Sequence, residues 1–294
     1  MDTSPVECSE VRTAVTTTPV SDLVADMALD LPPIGFGTLD ITDVDLLTAG
    51  IEMGYEYVDT AQFYGNESAV GDAIERADVD RDEFTLATKL WYDSLGYDDV
   101  HDAVEGSLDR LGVDTIDLLY VHWPLGDYDP EETLEAYNEL VAEGTVSNIG
   151  VSNFSPEILD TALEYADPTV AANQIELHPL LQQERSREFH RERGVQTTAY
   201  GPLLGGRAEM IPELGGIAEK HDTTESSVAL AWAQQLDGVM PIAGAETESH
   251  LRENLDSLDL ELDDEDVETI DTLGREIKAY GSNGVSIDPG VDRL

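Results

Sequence analysis

Cysteine is almost missing from this chain. Its 294 residues include one, Cys8. That excludes an internal disulfide and a cysteine-based zinc site. Long apolar runs are missing as well. No stretch of about 18 or more apolar residues occurs, so no segment reads as a membrane-spanning helix. The N-terminus, MDTSPVECSEVRTAVTTTPV, lacks a basic region followed by an apolar core and does not read as a secretory signal. It reads as a polar tail over residues 1–21, ahead of a folded domain. These absences predict a cytoplasmic protein.

Positive charge is scarce. Lys and Arg total 15 against 63 Asp and Glu, giving a formal net charge of −48. Nucleic acid is excluded as a partner, because phosphate binding needs cations. The acids are spread over every amphipathic segment, with apolar residues between them. That pattern predicts a folded protein with a carboxylate-coated surface rather than an acidic tail. Self-repulsion destabilises such a surface at ordinary ionic strength. Molar salt shortens the Debye length to about 3 Å and removes most of that cost. The expectation is the cytoplasm of a halophilic archaeon. Lysine occurs only as Lys89, Lys220 and Lys278, and Lys89 stands out because its stretch is apolar.

Metal-ligand spacing is also absent. The histidines at 101, 122, 178, 190, 221 and 250 form no H-x-H or H-E-x-x-H pair, which argues against a metal-dependent hydrolase. A doubly wound sheet, the competing architecture, would place a G-x-G-x-x-G turn after its first strand, and the stretch GFGTLDITD lacks the third glycine.

What is present is alternation. Hydrophobic residues make up 41% of the chain, enough for a sizeable core. Short β-rich runs lie at 34–38, 57–61, 84–91, 116–123, 146–153, 171–177, 195–202 and 238–244. Each is followed by helical spacing, as in Ile41–Met53, Val100–Leu111, Leu134–Val141 and Val228–Leu236. Ser155-Pro156-Glu157 and Asp129-Pro130-Glu131-Glu132 offer helix caps with proline at the first position. Gly112 and Gly144 stand at helix ends. Eight such units predict a (β/α)8 barrel, the TIM barrel, which typically needs about 250 residues. One domain over residues 22–294 is expected, as a monomer or weak oligomer.

In such a barrel, chemistry sits where strands end. The first run ends in Gly37-Thr38. The second ends in Asp59, with Tyr64 on the loop beyond. The third ends in Lys89 and Trp91, the fourth in His122-Trp123 and the fifth in Ser152-Asn153. The sixth carries Gln174, the seventh ends in Tyr200 and the eighth in Gly244. Alone, each has a bland reading. Asp59 caps a turn, Tyr64 is a half-buried aromatic, Lys89 snorkels and His122 is a satisfied core histidine. Ser152-Asn153 reads as turn chemistry. Together they converge on one mouth, where so many polar groups need a common partner.

Asp59, Tyr64, Lys89 and His122 fit one metal-free reaction. A free tyrosine has a pKa of about 10, and an adjacent ammonium lowers it by stabilising phenolate. Asp59 would hold Lys89 charged. His122 would orient a carbonyl oxygen. The result is a proton donor aimed at an oxygen that gains charge as hydride reaches carbon.

The motifs GFGT, GYEYVDTAQFYGNE, TKLW, YVHWP, GVSNF, NQIELHP, AYGPL and HLRENL resemble those of the aldo-keto reductases, from Gly35 to Tyr280. The resemblance implies a (β/α)8 barrel binding NAD(P)H across its mouth and reversibly reducing aldehydes or ketones. It implies a tetrad of Asp59, Tyr64, Lys89 and His122, with Tyr64 as general acid. Gly37, Thr38 and Asp59 are expected beside the cofactor. The resemblance sets Ser152, Asn153 and Gln174 on the nicotinamide carboxamide and Tyr200 on its ring. Gly201, Pro202, Leu203 and Leu204 would cover the pyrophosphate, and Glu253 and Asn254 would meet adenine. Leu39, Tyr64, Trp91, His122 and Trp123 should wall a pocket for small carbonyl substrates. The short tail after Tyr280 resembles that of the prokaryotic diketogluconate-type reductases.

One stretch departs from the family pattern. Where relatives often carry a Lys-Ser pair and a later Arg for the NADPH 2′-phosphate, this chain has Gly244-Ala245 and His250, with Glu246 between. A glycine gives no charge and a neutral imidazole little. Glu246 would repel the phosphate, or accept from an unphosphorylated ribose, or simply point to solvent. Arg252 or Arg207 could still reach a phosphate. The expectation is that NADH serves at least as well as NADPH.

Two other classes remain open. One is a non-catalytic nicotinamide-binding regulatory subunit of the same fold. The other is an isomerase or aldolase using Lys89 as a Schiff base.

Overall fold

The β-rich runs alternate with amphipathic segments, and their pairing closes into a ring. The computed structural model describes residues 29–280 and the backbone of 292–293. The expected tail over 1–21, Cys8 and most of the segment after Tyr280 lie outside the described residues. The strands are β1 Gly35–Gly37, β2 Tyr57–Asp59, β3 Thr85–Leu90, β4 Ile116–Val121, β5 Val146–Ser152, β6 Ala172–Glu176, β7 Gln196–Tyr200 and β8 Val239–Ala243. They form a closed barrel in chain order, with β8 returning to β1 through Gly35↔Ile242 and Phe36↔Ala243. Every neighbouring pair is parallel. Strands covered on both faces read as near-continuous apolar runs, which explains Ile116–Val121 and Thr85–Leu90.

The helices are α1 Val44–Glu52, α2 Glu67–Arg76, α3 Tyr97–Leu111, α4 Pro130–Glu143, α5 Pro156–Tyr165 and α6 Glu184–Arg193. They continue with α7 Pro212–His221, α8 Glu225–Gln235, α9 Glu248–Asp256 and α10 Asp264–Asp271. The expected caps form. Asp129 accepts from the N–H groups of Glu131 and Glu132, and Ser155 from that of Ile158. Gly112 ends α3 at φ 66°, a left-handed conformation that favours glycine. The region between β7 and β8 holds two helices, α7 ahead of α8.

The strands stop one or two residues before the apolar runs do. Thr60, Ala61, Trp91, His122 and Trp123 already belong to loops at the barrel mouth. Their side chains remain apolar or buried because the mouth itself is covered, so hydrophobicity overstates the ladder.

The core lies mainly between strands and helices, with Phe36, Leu86, Leu119, Val121 and Trp232 fully buried. Inside the ring, the hydroxyls of Tyr57 and Tyr120 meet at 3.0 Å, and Tyr120 meets Thr198 Oγ1 at 3.1 Å. Gly150 makes room for Tyr120, since a Cβ there would stand 2.6 Å from its ring. The acids face outward as expected. Among the described residues the buried carboxylates are Asp59, Glu67, Glu176 and Asp266.

Candidate active site

Register brings the first polar groups together. Asp59 is the last residue of β2, and Lys89 lies near the end of β3 beside it. Lys89 Nζ donates to Asp59 Oδ2 at 2.5 Å and to the Thr60 carbonyl at 2.8 Å. The other carboxylate oxygen accepts from Gln174 Nε2 at 2.9 Å. A buried charge needs this degree of pairing, because desolvation is otherwise costly.

Tyr64 ends a single 3-10 turn, Gln62–Tyr64, which Gly65 closes at φ 66°. The turn hangs the phenol over the β2–β3 edge, with Lys89 Nζ 5.1 Å from its ring centroid. His122 follows β4 and meets the Tyr64 ring edge-on at 5.9 Å. It is 8% exposed, and its Nδ1 has no hydrogen-bond partner. Asp59, Tyr64, Lys89 and His122 therefore share one site.

The electrostatics differ from the sequence expectation at Tyr64. Lys89 was expected to lower the phenol's pKa. Burial instead pushes it well above 10, and the Asp59 and Asp40 carboxylates add to the rise. Desolvation of the phenolate outweighs the ammonium because Asp59 neutralises that ammonium at close range. Burial also lowers Lys89, against the raising effect of Asp59. His122 falls well below 6.5 through burial, with Lys89 contributing. Near neutral pH the site presents a protonated phenol and a neutral imidazole.

The residues expected around a cofactor form a linked set. Ser152 Oγ donates to the Gln174 carbonyl at 2.9 Å. Asn153 Nδ2 donates to the His122 carbonyl at 3.1 Å and to Ser152 Oγ at 3.0 Å. Tyr200 Oη donates to Asn153 Oδ1 at 2.9 Å. Gly201 and Leu204 bend in the left-handed region, at φ 65° and 51°, and Pro202 and Leu203 lie between them. This turn, followed by Gly205 and Gly206, suits a chain that lays backbone against a ligand.

Other expected contacts are already engaged within the protein. Thr38 is fully buried and gives its hydroxyl to the Asp59 carbonyl, beside Gly37. Asn254 is 3% exposed and donates to the Gly244 carbonyl at 3.2 Å. Glu253 accepts from Thr224. Gly244, Glu246, His250 and Arg252 are exposed, whereas Ala245 is buried. Arg207 donates to the Leu204 carbonyl, and neither it nor Arg252 is paired with a carboxylate among the described residues.

On the substrate side, Leu39 is exposed, Trp91 half-buried and Trp123 nearly covered. Phe63 was missed. It stacks on Trp91 at 4.0 Å and approaches His122 edge-on at 6.3 Å. Asn66 was missed too. Its Nδ2 holds the carbonyls of Thr38 and Ile41, and its Oδ1 accepts from Thr60, whose carbonyl receives Lys89. Glu67 accepts from Thr88 and Arg110 just behind. Both lay in the YGNE motif, directly after Tyr64. Among the described residues no cluster of His, Cys, Asp and Glu is placed to hold a metal ion, and no helix is long and apolar enough to cross a membrane.

The half-buried Tyr200 ring beside the tetrad and the glycine-rich turn after it fit a nicotinamide dinucleotide, and the neutral His122 imidazole fits a carbonyl compound. Comparison with known proteins agrees. Residues 33–275 match the Aldo/keto reductase family. An aldo-keto reductase from Mycobacterium sp. (strain KMS) is 38% identical over 247 residues, covering 83% of this chain and 89% of that protein. The crystal structure of a putative 2,5-diketo-D-gluconic acid reductase B superposes with a TM-score of 0.82 at 33% identity, covering 90% of this chain and 93% of that one. The aldose reductase of Schistosoma japonicum gives 0.80 at 28% identity, covering 86% and 91%.

Proposed function

This chain belongs to the aldo/keto reductase family, an NAD(P)H-dependent oxidoreductase family, and from that premise we propose that Tyr64 is its general acid in reversible reduction of small aldehydes or ketones. The observation that carries this reading is the buried Lys89–Asp59 pair beneath the Tyr64 ring, with His122 at its edge.

Each side chain has a distinct task. Burial keeps the Tyr64 phenol protonated, so it has a proton to give. His122 stays neutral and hydrogen-bonds the substrate oxygen, fixing its direction. As that oxygen gains negative charge, Tyr64 protonates it. The Lys89 ammonium, fixed by Asp59 and the Thr60 carbonyl, stabilises the phenolate left behind. No metal takes part. A nicotinamide dinucleotide, held by Ser152, Asn153, Gln174 and Tyr200, supplies the hydride when bound. Trp91, Phe63 and Leu39 exclude water and receive the substrate's apolar part.

The exposed Gly244, Glu246 and His250 supply no fixed cation for a 2′-phosphate, which supports NADH use. The likeness to the putative diketogluconic acid reductase supports that subtype. The outward-facing carboxylates support a chain that folds in molar salt inside a halophile's cytoplasm. A single domain over 22–294, acting as a monomer or weak oligomer, completes the proposal.

A panel of aldehydes, ketones and alcohols assayed with both dinucleotides in high salt tests it. Turnover supports an enzyme. Tight dinucleotide binding with no turnover of any carbonyl would assign the chain to the binding-only class.

A further inference from the structure

Glu176 closes β6 and is 1% exposed, yet the tetrad does not use it. Its Oε1 accepts from the backbone N–H groups of Ala279 and Tyr280, the latter at 3.1 Å. It also accepts from His178 Nε2 at 3.1 Å. The tautomer follows from geometry, since His178 Nδ1 accepts from the Leu180 N–H at 3.2 Å. The Leu180 carbonyl in turn takes the Ile277 N–H at 2.7 Å. Residues 277–280 are thus strapped along the connection that follows β6.

The strap delivers one side chain. The Tyr280 ring meets Tyr200 edge-on, with centroids 5.7 Å apart and planes at 79°. It also lies over Gly201, where any Cβ would collide with it, and its hydroxyl is 3.2 Å from where a Gly205 Cβ would stand. Tyr200 is therefore held at its hydroxyl by Asn153 and at its ring by Tyr280. The turn after it contains Leu204 at φ 51°, a conformation an ordinary side chain keeps only when its surroundings impose it. A buried carboxylate is a costly way to fasten four residues. Charge-assisted bonds to two successive N–H groups make that fastening firm.

Resting on the reading of Tyr200 as the nicotinamide platform, we infer that Glu176 and Tyr280 are positioning residues for the dinucleotide. Glu176 fixes the strap, and the Tyr280 ring holds Tyr200 and the 201–205 turn in their binding shape. Preorganisation of this kind lowers the ordering cost of binding and slows release.

The test is titration of NADH and NADPH against protein fluorescence in molar KCl, alongside thermal midpoints, for the parent, Tyr280→Ala, Tyr280→Phe and Glu176→Gln. Tyr280→Ala should raise the dissociation constant about tenfold or more. Tyr280→Phe keeps the ring and should restore most of the affinity. Glu176→Gln keeps an accepting oxygen without charge and should weaken binding in the same direction. If Tyr280→Ala does not fold, Glu176→Gln decides alone. A lower thermal midpoint with an unchanged dissociation constant overturns the inference. Tighter binding by Tyr280→Ala overturns it as well, since the ring would then obstruct the site. A parent that binds neither dinucleotide overturns the underlying reading and the inference with it.

Discussion

Lys89 and Asp59 form a buried ion pair with Nζ 2.5 Å from Oδ2, the lysine side chain fully covered and the carboxylate 3% exposed. Asp59 spends its second oxygen on Gln174, and Lys89 spends a second proton on Thr60. The pair is therefore a strut between strands as well as an electrostatic device. Lys89→Met should destabilise the fold by about 3–5 kcal/mol, because it leaves Asp59 buried without its counter-charge. Adding Asp59→Asn should recover part of that loss. Urea unfolding in high salt measures both, and a double variant no more stable than Lys89→Met refutes the coupling.

Tyr64→Phe should lower kcat for carbonyl reduction by about 10²–10⁴-fold, the usual worth of a positioned proton donor. Dinucleotide affinity should hold, because Tyr64 belongs to the substrate side. A matching loss of affinity would show that the phenol's role has been misassigned.

The pH profile of reduction should lack two familiar steps. Tyr64 is pushed up and His122 pushed down, both chiefly by burial. Neither group should titrate between about pH 6 and 9. A fall in kcat on acidification through about 6.5 would mean that His122 takes up a proton in the working enzyme.

His190 gives a separate acid sensitivity, in stability. It is buried, and burial pushes it down to about 4. Its Nδ1 donates to Thr197 Oγ1 at 2.8 Å, and its Nε2 accepts from Asn173 at 2.9 Å, so the neutral ring is the one that fits. The unfolded chain binds a proton near 6.5 and the folded chain does not. Stability attributable to this residue is intact above about 6.5 and declines towards pH 4, by about 3 kcal/mol at most. Unfolding free energies in molar salt should show this slope, and His190→Gln should flatten it.

Cofactor choice should follow the exposed cluster on the loop after β8 and the start of α9. With no fixed cation at Gly244 or His250, kcat/KM for NADH should equal or exceed that for NADPH. The pair Gly244→Lys and His250→Arg should shift the ratio towards NADPH by about tenfold or more. A parent preference for NADPH of about a hundredfold would mean that Arg207 or Arg252 holds the phosphate.

Salt should decide whether the chain folds at all. With a net charge of −48, circular dichroism should report loss of structure as salt drops below about molar concentration. An unchanged spectrum in dilute buffer removes the halophilic reading.

The sequence by itself determined the alternation of strands and helices, the caps at Asp129 and Ser155 and the residue types at the strand ends. These are local properties. Apolar runs, proline at a first helical turn and glycine at a left-handed end carry their meaning within a few residues. Closure of the barrel was foreseeable because eight such units have few ways to bury their faces. What only the tertiary structure decided depends on neighbours distant in the chain. Gln174 reaches Asp59 across 115 residues, and Glu176 fastens Tyr280 across 104. Phe63 completes the aromatic wall only because a 3-10 turn swings it onto Trp91. The rise in the Tyr64 pKa belongs here too. The nearby ammonium was legible from the motifs, but desolvation is a property of the closed mouth, and there it outweighs the single charge.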